Sequence, residues 1–135
     1  MTASNAGEID ILSYIFKSGG NAWSADANFY ISLHTGDPGE AGDQTTSEAS
    51  YTSYARIAVS RTTGFSVSAN VAFNPAAIVF PAATGGSNSL THFGVGTSAT
   101  GAGRLLFSGA LTAALAVSNG ITPQFGVDQL RITCD

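Results

Sequence analysis

The run Asn28-Phe29-Tyr30-Ile31-Ser32-Leu33-His34 ends on Thr35-Gly36-Asp37-Pro38-Gly39. Half-apolar alternation that stops at a Gly-Asp-Pro-Gly cluster is a strand emptied into a tight turn. From Ala41 to Ser53 the chain is acidic and built of small residues, with almost nothing apolar before Tyr51. Such a segment cannot be core and lies on a surface or against a partner. Strand structure resumes at Tyr54-Ala55-Arg56.

Working outward, short alternating runs separated by turn residues continue to the C-terminus. They fall at about Phe29–His34, Arg56–Arg61, Phe65–Ala69, Ile78–Phe80, Thr91–Val95, Leu105–Ser108, Ala114–Val117 and Gln129–Thr133, or about eight strands. Asn119-Gly120 predicts a type I′ hairpin with Val117 facing Ile121, because Asn and Gly tolerate the positive φ such a turn needs. Gly85-Gly86-Ser87-Asn88 and Gly101-Ala102-Gly103 are further turns, and Pro75 and Pro81 place the strand between them at an edge. Regularly spaced short strands point to a β-sandwich or jelly-roll domain over residues 28–135, with a barrel as the alternative. No internal repeat is visible, which argues against a propeller, a β-helix or the repetitive shaft of a long fibre.

Toward the N-terminus, Asn5-Ala6-Gly7-Glu8 has capping-box spacing, with Asn5 at the cap. Ile9, Leu12 and Phe16 recur at helical spacing, Tyr14 and Ile15 widen the apolar face, and Gly19-Gly20 ends the element. A helix of about three turns is marginal alone, so this one must dock on its own domain or on another molecule. Residues 1–27 therefore read as a docking arm, with Trp23 in the connector either fixing the helix to what it meets or filling the edge of the domain core.

One domain is the size class of 135 residues that are 44% hydrophobic. Only 10% of residues are charged, against roughly 25% in an average soluble domain. A surface so poorly protected against association suits a subunit covered by neighbours, itself first of all, with a trimer preferred and a dimer as the alternative. The net charge of −4 and the single lysine, Lys17, leave no basic stripe for phosphates, so no nucleic-acid partner is expected. No apolar run approaches the length of a bilayer span, so no membrane partner is expected either, and synthesis in the cytosol follows. Cys134 has no second cysteine to bridge.

Asp37, Glu40 and Asp43 stand at three-residue intervals in one loop and could offer oxygens to Ca²⁺, but the spacing is not that of a calcium loop, and a solvated acidic loop is the better account. His34 and His92 lack ligand spacing and read as structural residues on strands. There is no Gly-x-Ser-x-Gly elbow, Cys134 has no neighbouring base, and the acidic residues sit in loops or in the first helix rather than in a pair flanking a sugar. No enzyme, cofactor or metal is expected. Arg56 and Arg61 are read as interface residues, with the acidic loop of a neighbouring copy supplying carboxylates, or as members of ordinary intrachain ion pairs.

The pairing of Leu33-His34-Thr35-Gly36-Asp37-Pro38-Gly39 with Tyr54-Ala55-Arg56, continued by Phe80-Pro81-Ala82, Thr91-His92-Phe93-Gly94-Val95-Gly96, Ser108-Gly109-Ala110-Leu111 and Asn119-Gly120-Ile121-Thr122-Pro123, resembles a family of small virion proteins of tailed bacteriophages. Members are labelled tail-fibre or head-decoration proteins. The resemblance implies a structural protein located in the virion. Together with the charge-poor exterior it suggests first a cement protein clamping major capsid subunits. The alternative is a tail-fibre, tail-tip or adaptor component that meets a host surface through Gly36–Ser53 and Gly96–Gly103, with Tyr51 and Tyr54 as anchors. On these readings the interface draws on Ile9, Leu12, Phe16, Trp23, Asp37, Glu40, Asp43, Tyr51, Tyr54, Arg56 and Arg61.

Overall fold

The strand Asn28–His34 (β2) lies inside a five-stranded antiparallel sheet. A computed structural model, which describes residues 2–18 and 20–134, gives that sheet the order β1-β8-β7-β2-β3. Here β1 is Thr2–Ala3, β3 Ile57–Ser60, β7 Asn88–Gly96 and β8 Leu105–Val117. Two small sheets complete the domain: Ser66–Ser68 (β4), Val71–Phe73 (β5) and Arg131–Thr133 (β10) form one, while Ile78–Val79 (β6) pairs with Gln124–Phe125 (β9) in the other. One helix, Asn5–Phe16 (α1), precedes β2. The mainly β, single-domain reading with one short N-terminal helix holds.

Register explains which side chains reach the core. Ile31 pairs with Val95 and Leu33 with Phe93, so these four share one face, where they meet Ile78, Phe80, Val117 and Leu130. Ser32 opposite Gly94 and His34 opposite His92 occupy the other face. A line of ring contacts crosses the core: Tyr51 edge-on to Tyr54 (5.4 Å), Tyr54 stacked on Phe80 (6.4 Å), Phe80 edge-on to Phe125 (6.4 Å), and Phe125 edge-on to Phe93 (5.9 Å). The core thus runs without a break from the loop after β2 to the small β6–β9 sheet.

Three local expectations are corrected. The runs at Leu105–Ser108 and Ala114–Val117 are one thirteen-residue strand, β8, in which Leu111–Ala114 bulges opposite Thr91 alone. The turn at Asn119-Gly120 does not make a hairpin. Only Gly120 has positive φ (90°), as a type II turn requires. The chain then turns away from β8, with Gly120 N–H donating to the Ala83 carbonyl and Ala83 N–H to that of Ile121. The helix cap is Ser4, not Asn5: its hydroxyl accepts from Gly7 N–H at 3.1 Å, while its own N–H is held by the Leu106 carbonyl of β8.

The helix seats on β8 by an unusual face. Gly7 lies so close that a Cβ would overlap the Leu106 carbonyl oxygen, so only glycine fits there. One turn on, the Asp10 carboxylate grips Arg104 with both oxygens (2.7 and 2.9 Å) and accepts from the Trp23 indole N–H at 2.6 Å. Trp23 in turn lies edge-on to Phe29, and the Arg61 guanidinium sits over both rings at 5.1 and 4.7 Å. One nitrogen of Arg61 also donates to the carbonyls of Trp23, Ser24 and Asp26. Trp23 and Arg61 therefore hold the connector to its own domain.

Candidate functional site: an interlocked loop platform

At the His34 end of β2 the backbone folds back on itself. Thr35 N–H donates to the Ser47 carbonyl (2.8 Å) and Ala49 N–H to that of Leu33 (2.8 Å), so residues 35–48 form a closed loop. Two of its acidic side chains act locally. Asp37 accepts from Gly39 N–H (2.9 Å), and Asp43 accepts from both the N–H and the hydroxyl of Thr45 (2.8 and 2.6 Å). Those bonds from Thr45 hold the Asp43 carboxyl below its ordinary range. Glu40 lends its carbonyl to Asn5 N–H at the helix start. Among the described residues, no three His, Cys, Asp or Glu side chains converge to hold a metal ion.

A second loop, residues 97–104, closes around the first through Gln44. This side chain is fully buried, donating to the Ser98 carbonyl (3.2 Å) and accepting from Ser98 N–H (3.0 Å), while Gln44 N–H donates to the Ala102 carbonyl. Gly96 and Gly103 make room for it, since a Cβ at either would overlap the amide.

Beneath both loops lies an ion pair. Arg56 binds Glu48 with two nitrogens (2.6 and 2.8 Å) and donates to the carbonyls of Ser98 (2.9 Å) and Gly101 (2.7 Å). The Tyr54 hydroxyl donates to Glu48 (2.9 Å) and accepts from Leu33 N–H (3.1 Å). Only 3% of the Arg56 side chain and 17% of that of Glu48 are exposed. The Glu48 hydrogen bonds push the Arg56 guanidinium further up, and burial does the same to the Tyr54 phenol. The two loops named on sequence grounds are thereby joined into one fixed surface, whose outward residues include Asp37, Glu40, Thr45, Ser47 and Thr100.

Under this surface Ser32 and His34 are both fully buried. The Thr46 carbonyl can only accept, so the His34 proton sits on Nδ1 (2.8 Å), and Nε2 accepts from the Ser32 hydroxyl (2.8 Å). A serine bonded to an imidazole is the geometry of an activated nucleophile. Here Leu105 and Gly94 close over it, and a Cβ on Gly94 would stand 2.7–2.8 Å from Ser32 Oγ, His34 Nε2 and Leu105 Cδ1. The pair braces the loop to the sheet.

Burial lowers the His34 pKa from its ordinary 6.5. Below pH 6.5 the unfolded chain takes up a proton that the folded chain refuses, so stability is full above that pH and falls as pH drops from it toward the folded value. Thermal unfolding measured from pH 8 to pH 5 is expected to show this loss, and His34→Gln is expected to flatten the slope; an unchanged slope would place the titrating group elsewhere.

Of the sequence-predicted residues, Asp37, Glu40 and Asp43 lie on the platform and Ile9, Leu12 and Phe16 on the outward face of α1. Tyr51 and Tyr54 are not exposed anchors: Tyr51 is buried, with its hydroxyl on the Pro81 carbonyl (3.0 Å), and Tyr54 supports Glu48. Arg56 takes the intrachain ion-pair option with Glu48, whereas Arg61 binds backbone carbonyls and the rings of Trp23 and Phe29. Gln44, Glu48, Asp10 and Arg104 were missed. For Gln44 the legible signal was a pair of glycines, Gly96 and Gly103, flanking a polar loop.

The β scaffold thus carries two loops locked into one surface. The family model described as Podophage GP4 fiber I protein gp80 matches residues 2–133, and the chain belongs to that family. It is thus a bacteriophage virion protein of the fibre kind. The fibre alternative fits this membership, whereas the capsid-cement reading finds no support in it. No curated protein matches the chain.

Proposed function

We propose that this chain is a non-catalytic tail-fibre component whose interlocked loops form the contact surface for a host-cell ligand. The supporting observation is the Gln44 and Arg56–Glu48 interlock. Ordering flexible loops on binding costs about 0.5–1.5 kcal/mol per immobilised side chain, and a platform already held by buried bonds avoids much of that cost. Its outward carboxylates and hydroxyls suit a polar partner whose donors they can accept. The protein is assigned to the virion, working beside other virion proteins.

Two measurements test this. Quantitative mass spectrometry of intact virions is expected to find a handful of copies per particle; hundreds would restore the shell reading. The purified protein is expected to bind host cells, and Glu40→Arg with Thr100→Arg, both at exposed loop positions, to weaken binding at least tenfold with the melting temperature unchanged. Equal binding by that variant would move the contact surface elsewhere.

A further inference from the structure

We infer that the outward face of α1 and the groove beside it form one self-association surface, whose occupant is a second copy of this chain. The helix is seated with its amphipathicity reversed. It buries Gly7 and Asp10 and turns Ile9, Leu12, Ile15 and Phe16 outward, from 57% exposed at Leu12 to 78% at Phe16, while Tyr14 stacks on Trp23. A surface helix normally hides such a face. Next to it a groove of about 480 Å³ opens between the large sheet and β4–β5–β10, with Ile11, Phe29, Val71, Phe107 and Ile132 among its walls and Val67, 75% exposed, also lining it. Ile11, one turn before Ile15 on the helix, lines the groove, so ridge and groove adjoin.

Area identifies the occupant class. The four outward helix side chains expose on the order of 500 Å², toward the upper end of the range for the largest patch on an ordinary monomer. Val67 and the groove walls bring the patch to roughly 800 Å², the share each partner contributes to a stable protein pair. Shape selects a like partner. A convex apolar ridge beside a concave apolar groove is self-complementary: the ridge of one copy fills the groove of the next, and a closed ring or two-fold pair satisfies both at once. An unlike partner would need only one of the two shapes. The 10% charged composition fits the same arrangement.

Sedimentation velocity of the full chain across roughly 1–100 µM is expected to show a closed oligomer that persists at high salt, because the contact is apolar. Ile15→Lys with Phe16→Lys on the ridge, and Val67→Lys at the groove, are each expected to weaken association about 30-fold or more. All three positions are exposed, so circular dichroism and the melting temperature should stay unchanged. Val127→Lys, at a residue 62% exposed and outside the groove lining, should leave the oligomer intact. A monomer at every concentration overturns the inference and leaves the face to a different virion protein. An oligomer that survives either the ridge or the groove variant, or one that Val127→Lys also dissolves, overturns it equally.

Discussion

Glu48→Ala is expected to lower the unfolding free energy by about 3–5 kcal/mol, because it leaves the Arg56 guanidinium, 3% exposed, without its counter-charge. The same change removes the acceptor of the Tyr54 hydroxyl and loosens the hold of Arg56 on the Ser98 and Gly101 carbonyls. Stability and platform order should therefore fall together. Chemical denaturation measures the first. Faster amide exchange at Ser98, whose N–H is held by Gln44, measures the second. Combining Glu48→Ala with Arg56→Met should recover a large part of the stability, since an apolar side chain in that site no longer needs a partner. Loss below about 1 kcal/mol in the single variant, the range of a surface pair, would mean that the buried ion pair is not what holds the loops.

Phe80→Ala is expected to cost a similar amount, about 3–5 kcal/mol, for a different reason. Phe80 is 2% exposed and sits at the centre of the ring line, stacked on Tyr54 and edge-on to Phe125. Truncation removes its transfer free energy and leaves a cavity between the large sheet and the β6–β9 pair. For a domain of this size the melting temperature should drop by roughly 10–20 °C, and Phe80→Leu should drop it far less. Because Tyr54 supports Glu48, the ring line couples the core to the platform. Phe80→Ala combined with Glu48→Ala should cost less than the two single losses added. Strict additivity would show that core and platform are energetically separate.

Much of the scaffold could be read directly from the residues. Strand alternation located β2, β3 and β7, which present a core face at period two, while the short β4, β6 and β10 were found inside longer apolar runs bounded by turn residues, as Pro75 and Pro81 bound β6. The equally short β1, β5 and β9 escaped, since two or three residues carry no period of their own. Asn119-Gly120 misled because dipeptide preference reports turn conformation and not which strand the chain meets next; here the segment near Ala83 competes successfully for it. The platform was half legible. Arg56 was readable as a gripper of carboxylates from the upstream loop, yet nothing in the text of that loop singles out Glu48 over Asp37, Glu40 or Asp43. That choice is made by the fold-back of Ala49 onto Leu33, a three-dimensional event. The helix periodicity was correct and its orientation was not readable, because the seat is chosen by Gly7 and Asp10, two residues that a pattern of apolar spacing ignores.

The seat of the helix also governs when it can form during synthesis. Ser4 meets Leu105 across 101 residues, so the arm leaves the ribosome long before the strand that receives it exists. Closing so distant a contact is slow, and until then the apolar face of the segment stays uncovered by its own chain.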